Sequence, residues 1–173
     1  MKNKFLYLLI IIVAILTVAF VFSNKPVKEI TSFDECIAAG NPILESYPAQ
    51  CIANGRGFRQ DIGNELEKID LIMIASPRPN ETVSSPLEIS GEARGTWYFE
   101  ADFPVYLYDA SGNKIATGIA QAQGEWMTEE FVPFSVTLVF DEATLGSGTL
   151  VLEKNNPSGL LEQNDELRVP VKF

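Results

Sequence analysis

The N-terminal segment of the chain is dominated by an uninterrupted apolar stretch. Residues 5–22 carry no charge, and only one tyrosine and one threonine among them are polar. At about 1.5 Å rise per residue, a helix of this length measures ~27 Å, close to the ~30 Å hydrocarbon core of a bilayer. Lys2 and Lys4 precede the stretch, and basic residues favour the cytoplasmic side. The pattern predicts a membrane anchor over residues 1–25, with the rest of the chain outside the cytoplasm.

A cleaved signal peptide is the alternative interpretation, because Val21, Phe22 and Ser23 resemble a signal-peptidase site. Cleavable apolar regions usually run only ~7–15 residues, so the length favours a retained anchor. No cysteine follows closely enough for a lipid-modified N-terminus. Export is predicted in either case. The protein is expected to be a single-pass protein of the cell membrane with an extracytoplasmic C-terminal domain, or a secreted or periplasmic protein after cleavage.

The pattern changes near Asp70 to short runs of β-branched and aromatic residues, separated by clusters of Pro, Gly, Asn and Ser. Phe134, Val136 and Leu138 alternate with polar neighbours, as expected for a strand with one buried face. Seven strands are predicted, over residues 70–75, 87–93, 103–108, 114–120, 134–140, 148–153 and 166–172. Seven short strands without a long amphipathic helix predict an all-β, immunoglobulin-like β-sandwich, placed at residues 69–173.

Two local signals refine this domain. Residues 109–113 (DASGN) carry hairpin turn chemistry between two predicted strands, which should therefore pair antiparallel. Their spacing does not fit a calcium-binding EF-hand loop. Pro170 lies inside the last predicted strand, which indicates an edge position or an outward-facing nitrogen.

A small cysteine-pair module is predicted over residues 29–62. Cys36 and Cys51 are the only cysteines, and in an exported chain their spacing favours a disulfide over a CxxC redox site or a metal site. Ser32 and Glu35 have the S-x-x-E spacing of a capping box, so a short helix is predicted to begin at Ser32 and end at Gly40. Closing this loop is worth ~3 kcal/mol in the chain-entropy model.

Composition narrows the classes of function. The chain has 23 acidic and 13 basic residues and no histidine. A net charge of −10 excludes wrapping of nucleic acid and is explained by solubility. The absence of histidine removes Ser-His-Asp and Cys-His catalysis and the commonest zinc ligand. No cofactor and no metal site are predicted, and the protein is not expected to be an enzyme.

Paired carboxylates are the basis of the alternative, catalytic interpretation. Hydrolysis of a glycan needs two carboxylates in a cleft, one of them with a raised pKa. Paired acids occur at Glu100 and Asp102, Glu129 and Glu130, Asp141 and Glu142, and Asp165 and Glu166. Chance pairs are expected among 23 acids. A calcium site at Asn155, Asn156, Asp165 and Glu166 has no supporting ligand spacing.

Aromatic residues form the predicted ligand-binding site. The candidates are Trp97, Tyr98, Phe99, Tyr106 and Tyr108. Tyr106 and Tyr108 are expected on the strand face opposite Val105 and Leu107. Exposed aromatic side chains can bind a sugar ring or a partner strand. The alternative is that Trp97 and Phe99 cap the end of the core.

The order of motifs along the strand-rich region resembles the Gmad2 family, an immunoglobulin-like domain named from bacterial spore germination and sporulation proteins. The resemblance covers roughly residues 70–173. It is carried by IASP at 74–77, PLEISGEA at 86–93, GTW at 95–97, the 109–113 turn, Trp126 ahead of VPF at 132–134, GTLV at 148–151 and VPV at 169–171. The resemblance implies an immunoglobulin-like fold and an envelope location, with no agreed catalytic residues. The companion germination domain that usually accompanies this family is not predicted within residues 1–173.

The residues around the two cysteines also resemble a short module that recurs near the membrane anchor of small bacterial envelope proteins. Together these features predict a non-catalytic, membrane-anchored protein of the bacterial envelope with a binding or structural role. Its immunoglobulin-like domain would contact an envelope protein or a cell-wall polymer. A carboxylate-dependent cell-wall glycan hydrolase is the alternative, and a purely structural spacer is a third hypothesis.

Overall fold

The computed structural model describes residues 29–141 and 146–173. The predicted membrane anchor at residues 1–25 lies outside these ranges. Within them, no helix is both long and apolar enough to cross a bilayer. The described residues divide into two compact units, a small one formed by residues 29–43 and 51–58 and a large one formed by residues 44–50 and from 59 to the end.

The small unit contains the predicted helix. Helix α1 spans Phe33–Ala38, and the Ser32 hydroxyl accepts a hydrogen bond from the Glu35 backbone N–H at 3.2 Å. The Glu35 carboxylate accepts a hydrogen bond from the Thr31 backbone N–H at 2.9 Å, one residue earlier than in a standard capping box. Gly40 follows the helix with φ +81°, a conformation that favours glycine. The predicted start and stop signals are therefore confirmed.

The predicted disulfide is confirmed. Cys36 and Cys51 are bonded, with their Cα atoms 6.1 Å apart, and both are completely buried. They form a core with Ala53, against which Ile30, Phe33, Ile37 and Phe58 pack. A core of three fully buried residues is too small to support a fold by hydrophobic burial alone, so the covalent bond supplies much of the stability.

Three short strands follow α1 and form a sheet of order β1-β2-β3. They are β1 (Ile43–Leu44), β2 (Gln50–Ala53) and β3 (Arg56–Arg59). The turn between β2 and β3 is Asn54-Gly55, with φ of +51° and +74°. This is the Asn-Gly sequence that two-residue hairpins prefer, since both positions need positive φ.

The large unit contains the seven predicted strands, and the all-β prediction is confirmed. The strands are β4 (Ile72–Ser76), β5 (Leu87–Arg94), β6 (Asp102–Asp109), β7 (Lys114–Ala122), β8 (Phe131–Leu138), β9 (Ser147–Glu153) and β10 (Glu166–Lys172). They form one antiparallel sheet of order β10-β9-β6-β7-β8-β5-β4. The predicted hairpin at residues 109–113 joins β6 and β7. Strand β8 begins at Phe131, earlier than predicted, because Phe131 pairs with Arg94 of β5.

The seven-stranded sheet curls until it is nearly closed. Strands β7 and β8 share only two register pairs, at Gln121 and Ala122, so the sheet bends there. At the other side, Thr82, which follows β4, bridges to Lys172 of β10. The inward residues of all seven strands therefore enclose a single hydrophobic core. Helix α2 (Glu65–Lys68) precedes β4 and contacts both β4 and β10.

The outer edge of β10 is covered by side-chain and backbone groups. The Asn64 amide donates to the Glu166 carbonyl at 2.9 Å and accepts from the Arg168 N–H at 2.7 Å, in the manner of a neighbouring strand. Further along, the Asn80 N–H donates to the Pro170 carbonyl at 2.7 Å, and Lys172 exchanges backbone hydrogen bonds with residues 81 and 83. Strand β10 ends the sheet, which confirms the edge position predicted from Pro170.

Candidate functional site

The five aromatic residues predicted to bind a ligand lie in separate environments. Trp97 and Tyr98 are 1% and 4% exposed and belong to the main core. The Tyr98 hydroxyl donates to the Val132 carbonyl at 2.7 Å, and burial raises its pKa above the ordinary value. Trp97 thus has the buried position that the alternative interpretation predicted. A ligand at the surface would not touch either ring.

Phe99 follows Trp97 and Tyr98 and is 40% exposed at the start of a tight turn. Strand β6 begins at Asp102 just beyond the turn, and Tyr108 lies six residues further along that strand. At about 3.3 Å per residue, this separation corresponds to ~20 Å. Phe99 and Tyr108 therefore lie at opposite ends of the strand. The five aromatic residues do not form one continuous platform.

Tyr106 and Tyr108 project from the outer face of β6, opposite the fully buried Val105 and Leu107, as the alternation predicted. Their ring centroids are 6.4 Å apart in an edge-to-face arrangement. The Lys114 ammonium lies 3.7 Å from the centroid of the Tyr106 ring and 5.8 Å from that of Tyr108. Within the described part of the chain, no carboxylate pairs with Lys114. The lysine is held by the π faces of the tyrosines.

The neighbouring strands extend this surface. Val151 of β9 lies in register between Tyr106 of β6 and Arg168 of β10 and is only 2% exposed. Beside Tyr108, a shallow depression of about 550 Å³ is lined by Thr149 and Arg168, among others. We call the outward residues Tyr106, Tyr108, Lys114, Thr149 and Arg168 the tyrosine face. It combines two tyrosine phenols, one threonine hydroxyl and two cations.

The β6–β7 turn sets the position of Lys114. One carboxylate oxygen of Asp109 accepts hydrogen bonds from the backbone N–H groups of Ser111 and Asn113, each at 2.8 Å, and the other accepts from the Asn113 amide at 2.9 Å. These hydrogen bonds, led by that of the Asn113 side chain, hold the pKa of Asp109 below its ordinary value. Gly112 has φ +80°, which suits glycine. The turn is thus fixed before β7 begins at Lys114.

The predicted carboxylate pairs are dispersed over the surface. Asp165 forms a salt bridge with Lys68 at 2.6 Å, and Glu166 forms one with Arg168 at the same distance. Glu142 lies outside the described residues. Among the residues that the structure covers, no group of three or more His, Cys, Asp or Glu side chains could hold a metal ion. The amide groups of Asn155 and Asn156 are engaged in hydrogen bonds within the protein.

One buried carboxylate, Glu65 of α2, is 6% exposed and is not marked by any sequence pattern. Its oxygens accept hydrogen bonds from the Tyr47 hydroxyl and, at 3.2 Å, from the Arg78 guanidinium. Burial raises the pKa of Glu65, and the nearby Arg78 charge opposes this shift. Arg78 also donates to the Ile74 carbonyl at 2.9 Å. A single carboxylate enclosed by a phenol and a guanidinium has the arrangement of a structural ion pair.

Comparison with known proteins places the larger unit in a family. The model of the Gmad2 family, described as an immunoglobulin-like domain of bacterial spore germination, matches residues 71–159, just over half of the chain. Neither the curated proteins nor the solved structures contain a significant match. The matched segment includes β4 to β9 and therefore most of the sheet and the tyrosines of the tyrosine face. The chain belongs to the Gmad2 family of immunoglobulin-like domains.

Proposed function

We propose that this protein is a non-catalytic binding protein of the bacterial envelope, anchored in the membrane by residues 1–25. Its Gmad2 domain binds an anionic cell-wall polymer through the tyrosine face. One observation carries this proposal. In a chain of net charge −10, two tyrosines and two cations converge on the same outward face of the sheet.

The chemistry of the tyrosine face suits a charged glycan. Phenol rings present flat apolar faces to sugar rings, and their hydroxyl groups reach water at the rim. Arg168 donates through Nε to Glu166 at 2.6 Å, and a guanidinium has five N–H donors in all, so others are available to a phosphate or carboxylate. Lys114 supplies a second positive charge above Tyr106. An envelope protein with exposed carboxylates is the alternative ligand for the same groups.

The cysteine pair supports the predicted extracytoplasmic location. A structural disulfide between Cys36 and Cys51 is typical of compartments outside the reducing cytoplasm. Mass spectrometry of the mature protein tests the anchor directly. A mature chain that retains residue 1 and remains in the membrane fraction is expected, whereas a chain beginning at Asn24 would make the protein secreted or periplasmic.

Binding of the full-length protein to purified cell walls tests the proposed function. Tyr108→Ala and Lys114→Ala are expected to weaken sedimentation with cell walls at least fivefold, because each removes a group from the tyrosine face. Phe99→Ala and Lys154→Ala are the matched controls, an exposed aromatic residue and a half-buried lysine away from that face, and should bind as the unchanged protein does.

Equal binding by all four variants would contradict the tyrosine face as the site. The hydrolase alternative would be supported by release of soluble glycan fragments from cell walls by the unchanged protein. This activity should be lost when the carboxylates of one pair are replaced by amides.

A further inference from the structure

Three loops of the large unit lie at one end of the sheet. Because neighbouring strands are antiparallel, β5, β7 and β9 all finish at the end where β6, β8 and β10 begin. The loops between them are β5–β6 (residues 95–101), β7–β8 (residues 123–130) and β9–β10 (residues 154–165). We call their outward surface the three-loop surface. Loops at one end of such a domain commonly carry binding residues.

Hydrogen bonds and close contacts join the β5–β6 loop to each of the other two loops. The Asn155 amide of the β9–β10 loop donates to the Phe99 carbonyl at 3.3 Å and to the Asp102 carbonyl at 3.2 Å, and its backbone N–H donates to the Trp97 carbonyl at 3.0 Å. On the other side, the Gly95 N–H donates to the Glu130 carbonyl of the β7–β8 loop at 3.3 Å. The buried rings of Trp97 and Tyr98 lie beneath. The three loops form a single ordered surface.

Gly95 shows how closely two of these loops approach. A Cβ atom at this position would lie 2.0 Å from the Thr128 carbonyl oxygen and 2.2 Å from that of Trp126. Both distances are shorter than any Cβ contact that a folded protein tolerates, and both partners are backbone atoms. Only glycine fits there, so the β5–β6 and β7–β8 loops are held at a fixed spacing.

Phe99 is presented by an unfavourable backbone turn. Phe99 and Asp102 exchange backbone hydrogen bonds of 3.1 and 3.2 Å across Glu100 and Ala101, whose φ angles are +53° and +68°. Asn and Gly are the usual residues in a two-residue turn of this form, because residues with a Cβ atom disfavour positive φ. Such strain persists where the surroundings impose it and is concentrated at binding sites.

The β9–β10 loop turns its apolar side chains outward. Its polar groups bond within the loop around Asn156, whose amide donates to the Leu160 carbonyl at 2.8 Å and to the Asn164 side chain at 2.7 Å and accepts from the Ser158 hydroxyl at 2.5 Å. Leu161 is 81% exposed, and Leu160 is 49% exposed. Met127 of the β7–β8 loop is 74% exposed. With Phe99, four large apolar side chains project from ordered loops.

The charge of these loops indicates what kind of partner they fit. The three segments contain six acidic residues and one lysine. An anionic lipid surface or an anionic glycan would be repelled by this excess of carboxylates. A protein with an apolar recess surrounded by Lys and Arg residues would instead bury Leu161 and Met127 while pairing its cations with the carboxylates.

From these observations we infer that the three-loop surface docks into a basic-rimmed apolar recess on a different protein of the envelope, separately from the tyrosine face. Leu161 and Met127 are the apolar anchors, and Phe99, whose carbonyl accepts a hydrogen bond from Asn155, lies in the same surface. Acidic side chains such as Glu162 and Glu125 form the rim and accelerate association. The surface is independent of any glycan bound by Tyr106 and Tyr108.

Site-specific photocross-linking in intact cells tests this docking surface. A benzophenone amino acid replaces Met127 or Leu161 in the full-length chain, and Val139 is the matched control, since it is apolar, 76% exposed and follows β8 at the opposite end of the sheet. Irradiation is expected to give one discrete adduct from positions 127 and 161, containing a different protein, and no such adduct from position 139.

Binding measurements with the purified cross-linked partner complete the test. Leu161→Ser and Met127→Ser should each reduce its affinity for the full-length chain at least tenfold, and Val139→Ser less than twofold. Raising the salt concentration from about 50 to 500 mM should weaken the unchanged complex, and Glu162→Gln should reduce this salt dependence. Each variant should unfold at the same midpoint temperature as the unchanged protein, which excludes misfolding as the cause of weaker binding.

In the cross-linking experiment, the inference would be overturned by an adduct with lipid, with glycan or with a second copy of the chain. Equal labelling from position 139, or no adduct from either 127 or 161, would also overturn it. In the binding measurements, an affinity that does not change with salt concentration would do the same. Loss of cell-wall binding by Tyr108→Ala with intact docking through Leu161 would show that the two surfaces act separately.

Discussion

Each of the two units is stabilised internally in a different way. The larger one encloses an extensive hydrophobic core in a seven-stranded sheet, whereas the described residues of the smaller one have a core of three buried residues, two of which form a disulfide. Burial of apolar surface grows with domain size, so a small segment depends on a covalent constraint that a full domain does not need. The comparison predicts that core mutations should destabilise the large unit and that cysteine mutations should act only on the small one.

The largest effect is expected from Phe134→Ala. The Phe134 ring is 2% exposed, lies 5.0 Å from the Phe103 ring in an edge-to-face contact, and covers Gly91. Removing a buried phenylalanine leaves a cavity and should lower the free energy of unfolding by about 4 kcal/mol. Chemical denaturation followed by tryptophan fluorescence measures this loss. Phe131→Ala is the control. It removes a half-buried ring beneath Arg94 and should lower the free energy of unfolding much less.

The next effect concerns the disulfide. Cys36→Ser should unfold the small unit, because the bond contributes about 3 kcal/mol in the chain-entropy model and little else is buried there. The seven-stranded sheet should keep its own transition, since none of its strands contains a cysteine. Hydrogen exchange of the two units, measured separately, checks this. Loss of protection in both units would contradict the independence of the large unit.

Arg78→Ala should destabilise the large unit in a pH-dependent way. The change leaves the buried Glu65 carboxylate without its counter-ion and should lower the free energy of unfolding by about 2 kcal/mol near neutral pH. This loss is smaller than for a fully buried ion pair, because the Arg78 side chain is half-exposed. Burial raises the pKa of Glu65 above its ordinary value of 4.5, and Arg78 opposes this. A carboxyl whose pKa is raised by folding favours the folded state at low pH, and that contribution is lost as pH rises through the folded-state pKa.

The stability difference between Arg78→Ala and the parent should therefore grow from pH 4 to pH 7. Denaturation midpoints across this range measure it. Arg56→Ala is the control, because Arg56 forms an exposed pair with Glu29 at 3.6 Å and its loss should have little effect at any pH. A difference that is constant with pH would show that Glu65 does not carry the effect.

The smallest effect is expected from Asn64→Ala. This change removes two hydrogen bonds to strand β10 and leaves the Glu166 carbonyl and the Arg168 N–H to be solvated by water. The expected loss is about 1 kcal/mol, with faster hydrogen exchange at the Arg168 amide. Asn41→Ala, which removes one hydrogen bond to the Cys36 carbonyl in the other unit, should leave exchange in β10 unchanged.

The sequence predicted those features that depend on neighbours along the chain. Alternation in segments such as residues 134–140 predicts seven strands, and the Ser32 signal predicts α1, because each pattern reflects one strand face or one helix turn. The β2–β3 hairpin was missed although Asn54-Gly55 is a strong turn signal, since its strands are too short to show a period.

The candidate surfaces were harder to predict because they depend on distant residues. Trp97 and Tyr98 lie in a loop without alternation, so no pattern distinguished their buried rings from the exposed Phe99. The Asn64 contact with Arg168 joins residues 104 positions apart. No local signal marks Glu65 as buried or Asn155 as the residue that binds two other segments. Only tertiary packing determines these roles.

The covered edge of β10 limits how this domain can acquire partners. Many immunoglobulin-like and related sheets recruit peptides by adding a strand, since an open edge offers backbone donors and acceptors to any extended chain. Here the groups that such a peptide would use are already bonded to Asn64 and to residues 80–83. These bonds protect strand β10 from indiscriminate pairing with unfolded chains. At this edge, new partners must instead be gained through side chains on faces and loops, where a single substitution changes specificity.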